Sequence, residues 1–233
     1  MSTTIEHRSR KATVEVRDAQ PGKGPGVLHG YGAVYFDRND PGTSYMIWDD
    51  VEERVLPGCF ERALREKDDT RILFNHDPNL ILGRTAAGTA RLSSDDRGLR
   101  YEADAPDTQA GRDAVTLVKR GDVTGSSFGF QVEEDEVIRE TRNGQPYYIR
   151  NLISVRLFDC SPCVFNAYQA ASAGARSEAP PEVRSALLSR AKDPVAPPES
   201  PEAMKAKADE AAAAAIQADA DARQRRLRLA ELE

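Results

Sequence analysis

Up to about residue 170 the hydrophobic positions either alternate with polar ones or gather in short branched and aromatic runs. Such runs fall at 13–17, 28–36, 71–76, 89–92, 99–103, 123–132, 147–149 and 153–158. Period-two alternation is what a strand with one buried face produces. Turn chemistry separates several of them, at Asp96-Arg97-Gly98 and Asn143-Gly144, where residues that tolerate positive φ sit between apolar runs. Two windows change period. One is 60–66, after a Pro57-Gly58 turn; the other is 108–120, where Ala110, Ala114, Leu117 and Val118 share a helical face and Gly121 stands at the C-terminal stop. Many short strands with two helices predict a β-rich α+β domain, built as a barrel or a sandwich.

Beyond that point the pattern fails. Every aromatic residue lies at or before Tyr168, while Pro180, Pro181, Pro194, Pro197, Pro198 and Pro201 crowd into a short stretch after it. A core needs aromatic and branched aliphatic residues, so the packed domain is expected to span 1–172. The stretch 173–199 has the Pro, Ser, Ala and charge content of a mobile linker, with room for one short helix at 182–190. From Ser200 to the end, an N-cap followed by Pro201 and a run of strong helix formers predict a charged, alanine-rich helix over 200–233. Its only larger apolar residues are Met204, Ile216, Leu227, Leu229 and Leu232, too sparse for a heptad seam, so it is expected to dock on a partner or stay solvated.

Composition narrows the function classes. The 233 residues carry 32 Lys and Arg against 38 Asp and Glu, a net charge of −6, and the first 170 show no basic stripe, which argues against a nucleic-acid binder. No stretch reaches the roughly 18 apolar residues of a membrane span, and no apolar segment backs the N-terminal charges, so a soluble, non-exported protein is expected. Three cysteines make no disulfide framework and suit a reducing compartment. No phosphate loop, dinucleotide fingerprint or zinc-helix motif occurs, so no cofactor is expected. The arginines at 223, 225, 226 and 228 read as a solvated helix face.

Candidate chemistry starts from histidine, the natural base near neutral pH. Of the three, His7 lies in a polar terminus, His29 precedes Gly30, and His76 closes the apolar run of RILFNHDP, with Asp77-Pro78 read as the turn behind it. Without a partner, His76 would be a surface histidine. A partner is offered by GDVTGSSFGF: strand parity sends Ser126 to the core with Phe128 and Phe130, leaving Ser127 as the accessible serine on the face of Gly125 and Gly129. Those glycines leave room for a peptide backbone; the bland alternative is a strand bent at glycine. Asp159, in SVRLFDCSPC, could orient the imidazole, with Asp77 as fallback. Cys160 and Cys163 have the spacing of a redox or metal pair. They follow a β-run, however, with no second pair at zinc spacing, so they read as small strand hydrophobes.

The segments GYGAVYFD, ERVLPGCFERAL, ILFNHDPNLILGR, GDVTGSSFGF and VRLFDCSPCVFNAY, taken in this order from Gly30 to Tyr168, resemble the prohead (capsid maturation) proteases of tailed bacteriophages, which share a fold with the herpesvirus maturation proteases. The resemblance covers the chain from about Gly30 to Ala171. It implies a herpesvirus-protease-like β-barrel and a serine endopeptidase. It places the family histidine on His76, the nucleophile on Ser127 and the third member, usually glutamate, on Asp159. It further implies partners in the major capsid protein, a scaffolding protein, or both, and in further copies of the chain through self-cleavage, inside the assembling prohead in the host cytoplasm. Backbone N–H near Gly129 and the side chain of Arg84 are its candidate oxyanion donors. Two other readings stay open: an inactive protease-fold scaffold, and a thiol enzyme using Cys160 and Cys163.

Overall fold

The structure, a computed structural model, describes residues 5–10, 14–165 and 181–193. Its strands are β1 (Glu6–Arg10), β2 (Val14–Arg17), β3 (Val27–Val34), β4 (Ser44–Trp48), β5 (Val51–Val55), β6 (Arg71–Phe74), β7 (Asp77–Arg84), β8 (Ala90–Ser94), β9 (Gly98–Asp104), β10 (Gly125–Arg142) and β11 (Gln145–Cys163). Helices α1 (Glu61–Glu66) and α2 (Gln109–Arg120) interrupt them, and α3 (Pro181–Leu188) follows. A seven-stranded sheet runs β1-β10-β11-β5-β4, with β6 on β11 and β7 on β6; a four-stranded sheet runs β2-β3-β9-β8. The domain is thus β-rich α+β, as its periodicity predicts. The expectation of a barrel is not met by the strand pairing, which among the described residues gives two sheets and no closed one.

The expected strands 123–132, 147–149 and 153–158 become parts of one long ribbon. β10 and β11 pair antiparallel from Gly125↔Cys163 to Arg142↔Gln145, joined at Asn143-Gly144, whose φ of 52° and 76° are what a tight two-residue hairpin demands. Register shifts at Gly129/Phe130, Val132/Glu134 and Glu134/Asp135 let the ribbon bend while each half keeps its apolar face inward. That face supplies Phe128 and Phe130, stacked at 4.7 Å between ring centroids, with Phe60 edge-on to Phe128 at 5.7 Å. Leu28, Leu99, Tyr101, Ile72, Leu82, Leu152 and Val155 complete the core.

α2 forms where its period predicts. Thr108 Oγ1 accepts the N–H of Gly111 at 3.2 Å as N-cap, Gly121 follows as C-cap, and Ala114, Val115 and Val118 are buried. Strands β1, β4, β5 and β7 lie outside the expected runs; β1 (EHRSR) and β5 (VEERV) escape the pattern because they are rich in charge. In β5, Glu52 and Glu53 are both buried, kept there by arginines rather than by hydrophobicity.

Part of the stretch expected as mobile linker is helix α3, seated on the domain. Leu187, 4% exposed, packs with Ile47, Val51 and Val137. Arg184 pairs with Asp50 at 2.6 Å and Arg190 with Asp135 at 2.6 Å. The short helix expected at 182–190 is thus present; its seating on the domain, which Lys192 completes through backbone bonds with Val137 and Arg139, is what the Pro- and Ala-rich composition hid. The expected helix over 200–233 and the rest of the linker lie outside the described residues. None of the described helices is long and apolar enough to cross a membrane.

Candidate active site

The hairpin of β6 and β7 places the histidine. Phe74 pairs with Asp77, so the turn consists of Asn75 and His76 themselves, with φ of 55° and 60°, the left-handed region that only a few side chains accept. The turn expected at Asp77-Pro78 is instead the start of β7. Two bonds pin the tip to the end of β11: the Asn75 N–H donates to the Pro162 carbonyl at 3.0 Å, and Asn75 Oδ1 accepts the Val164 N–H at 2.9 Å. Asp77, the fallback orienter, has its Oδ1 taken by Asn79, from the backbone N–H at 2.8 Å and from Nδ2 at 2.9 Å.

Held there, His76 Nδ1 lies 2.5 Å from Asp159 Oδ1. Ser161 Oγ donates to the same oxygen at 2.6 Å, and His7 Nε2 stands 3.6 Å from Oδ2. Burial resists ionisation of Asp159, but the bonds from His7, His76 and Ser161 outweigh it and hold the carboxyl well below its ordinary value. A carboxylate only accepts, so His76 Nδ1 carries the proton and Nε2 is left as the basic nitrogen. That Nε2 is buried with no hydrogen-bond partner among the described residues.

Gly129 makes the meeting possible. It lies in register between His7 on β1 and Asp159 on β11, and a Cβ there would stand 2.1 Å from Asp159 Oδ2 and 3.0 Å from the His7 ring. The bare backbone lets carboxylate and imidazole reach across from opposite strands. His7 also lies against His76, ring centroids 4.1 Å apart. His7, His76 and Asp159 each bring one ligand atom within 4.8 Å of the others; a divalent cation held there would compete with His76 for the carboxylate.

Ser127 lies on the same strand face, paired with Ser161 as Gly129 is with Asp159. Contrary to the expectation of an accessible serine, it is 0% exposed. β1 covers it, and its Oγ donates to the Arg8 carbonyl at 2.9 Å; no hydrogen bond joins it to His76 among the described residues. Ser126 faces the core and bonds the Tyr101 hydroxyl at 2.9 Å. Arg84 does not offer a free guanidinium, since Asp69 takes its Nε at 2.9 Å and its Nη2 at 2.6 Å.

The three cysteines are free thiols and buried. Burial, with the Asp159 charge behind it, pushes the Cys160 thiol far up and that of Cys163 up to about 12, so neither supplies a thiolate near neutral pH. Ser161 and His7 are site residues that the pattern reading missed. Ser161 was within reach, two positions from Asp159 and so on the same face of one strand. His7 carried no signal, because the pairing of β1 with β10 joins distant parts of the chain.

A family model described as caudovirus prohead serine protease matches residues 12–184. No curated protein and no solved structure matches the chain.

Proposed function

Since the chain belongs to the caudovirus prohead serine protease family, whose members are serine peptidases, we propose that it is the endopeptidase of phage head maturation. In this reading it cleaves a scaffolding protein or the scaffolding segment of the major capsid protein, and then itself, inside the prohead assembling in the host cytoplasm. Ser127 is the nucleophile, His76 the general base and Asp159 the residue that orients the imidazole. The observation that carries this is the His76–Asp159 bond of 2.5 Å, which commits Nδ1 and leaves Nε2 as the proton acceptor. His76 takes the Ser127 proton as Oγ attacks the scissile carbonyl and returns it to the leaving amine; water then hydrolyses the acyl-enzyme. The two sheets are proposed to be an opened counterpart of the herpesvirus-protease barrel.

The division into a protease domain (1–172), a linker (173–199) and a C-terminal helix (200–233) is likewise proposed, with α3 as a foothold of the linker on the domain. Limited proteolysis should cut within 166–180 or 194–199 before it cuts the domain; first cuts inside β10 or β11 would refute it.

The burial of Ser127 under β1 favours a second reading, a protease fold kept as an inactive assembly scaffold. Intact mass over time separates the two, comparing the protein with Ser127→Ala and Ser126→Ala, each with and without its capsid protein. Fragments from the native chain and Ser126→Ala but not from Ser127→Ala support the protease. Identical behaviour of all three within assembled proheads supports the scaffold.

A further inference from the structure

β1 has no apolar residue between Glu6 and Arg10, yet it lies along the edge of β10, with Arg8 only 8% exposed. Arg8 holds it there. Its Nε lies 2.5 Å from Glu53 Oε1 and its Nη2 3.0 Å from Oε2, a two-pronged grip, and its guanidinium sits 5.5 Å from the Phe130 ring centre. Glu53 is 0% exposed, and its other cationic partner among the described residues is Arg150, at 3.0 Å. Glu6 joins the cluster through Arg8 at 2.7 Å and Arg150 at 2.9 Å. Take β1 away and a buried carboxylate stands beside an aromatic wall, a seat shaped for a planar guanidinium.

The same residue also meets the nucleophile, since Ser127 Oγ donates to the Arg8 carbonyl at 2.9 Å. A side chain in a selective pocket and a carbonyl at the serine are what the residue on the acyl side of a scissile bond must present. The segment is extended and antiparallel to β10, the way a peptide adds to a sheet edge. It also lies outside the span 12–184 shared with the family, so Glu53 and Ser127 fall within the shared part and the occupant does not.

We propose that β1 occupies the substrate's seat: the peptide cleaved in trans lies along β10 in the register of Glu6–Arg10, with arginine in the place of Arg8, and Glu53 is the residue that selects it. This rests on the protease reading. The bond broken is the amide on the carbonyl side of that arginine. Ser127 Oγ forms an ester with the carbonyl carbon, its proton passes by His76 Nε2 to the departing amine, and water splits the ester to restore the serine. While β1 is seated, the Ser127 hydroxyl is engaged in its bond to the Arg8 carbonyl, and substrate has to displace the strand.

The test uses the full chain carrying Ser127→Ala, which binds without cutting, with and without Arg8→Glu to drive β1 off the buried carboxylate. Labelled peptides Glu-His-Arg-Ser-Arg and Glu-His-Gln-Ser-Arg are titrated by fluorescence anisotropy. The arginine peptide should bind at least about tenfold more tightly than the glutamine peptide, as expected for a charge-assisted pair, and more tightly to the Arg8→Glu chain than to its parent. Adding Glu53→Gln should erase the preference. Equal binding of the two peptides, or a preference that survives Glu53→Gln, overturns the proposal. Should either variant fail to fold, hydrogen exchange on the Ser127→Ala chain decides: saturating arginine peptide should speed exchange of the β1 amides, and unchanged exchange overturns the proposal. With Ser127 intact, cleavage without regard to arginine overturns the role of Glu53 and leaves the protease standing. Arginine-selective binding without cleavage by the Arg8→Glu chain overturns the protease reading, and the substrate seat with it.

Discussion

Gly129 has Asp159 on one side and His7 on the other, and a methyl group there would enter the space of Asp159 Oδ2 at 2.1 Å. Gly129→Ala must therefore move the carboxylate or the strand. A misplacement of about 1 Å at a catalytic group lowers turnover on the order of a hundredfold, so peptide cleavage should fall by that much while the circular dichroism spectrum stays native. Asp159 makes a second prediction, on stability. Its folded-state value lies below the ordinary 3.8, so its contribution is present in full above the unfolded value and is lost as pH falls through the folded one. Urea midpoints should therefore drop more steeply below about pH 4 for the native protein than for Asp159→Asn. Parallel slopes would contradict the bonding described for the carboxylate. At this scale Ser127, His76 and Asp159 were legible as candidates, because strand parity and residue chemistry are local properties. That β1 buries Ser127 was not, because no local rule connects residue 8 with residue 127.

The element that matters most to the site is the β6–β7 hairpin, since its two-residue tip holds His76. Asn75 both accepts positive φ and ties the tip to Val164 through Oδ1. Asn75→Ala loses that bond and strains the turn, a cost of about 1–3 kcal/mol, to be read from denaturant unfolding. Asn75→Gly keeps the backbone conformation and should recover part of the loss. Cleavage by Asn75→Ala should fall as well, because the tip carries His76. The apolar run 71–76 announces β6, but its last two positions are turn. Asn-His is a weaker hairpin signal than Asn-Gly, and Asp77-Pro78 imitates a turn where a strand begins. The Asn143-Gly144 hairpin, by contrast, could be read directly from its dipeptide.

At the scale of the molecule, ion pairs do work that apolar residues usually do. Glu6, Arg8, Glu53, Arg150, Asp135 and Arg190 form one chain of contacts from β1 through β5, β11 and β10 to the residues after α3. Leu187 adds the apolar anchor of α3 in the cluster of Ile47, Val51 and Val137. Leu187→Ala should cost about 2 kcal/mol or more and speed amide exchange through 181–193. Exchange unchanged from the native protein would mean that the ion pairs and the backbone bonds of Lys192 to β10 seat the helix without Leu187.

Periodicity, turn dipeptides and composition by themselves determined a β-rich α+β domain, the position of α2, the parity of Ser126 against Ser127, and the change in character after residue 170. These follow from period-two and period-3.6 patterning and from the scarcity of core residues in the tail, all of which act along the chain. Only the tertiary structure decided that two sheets form, that β5 buries glutamates, that His7 joins Asp159, and that β1 lies over Ser127. Each of these depends on partners many residues apart, such as Arg8 with Glu53 and Asn75 with Val164. A charged residue reads as solvent-facing until its counter-ion is known to lie beside it.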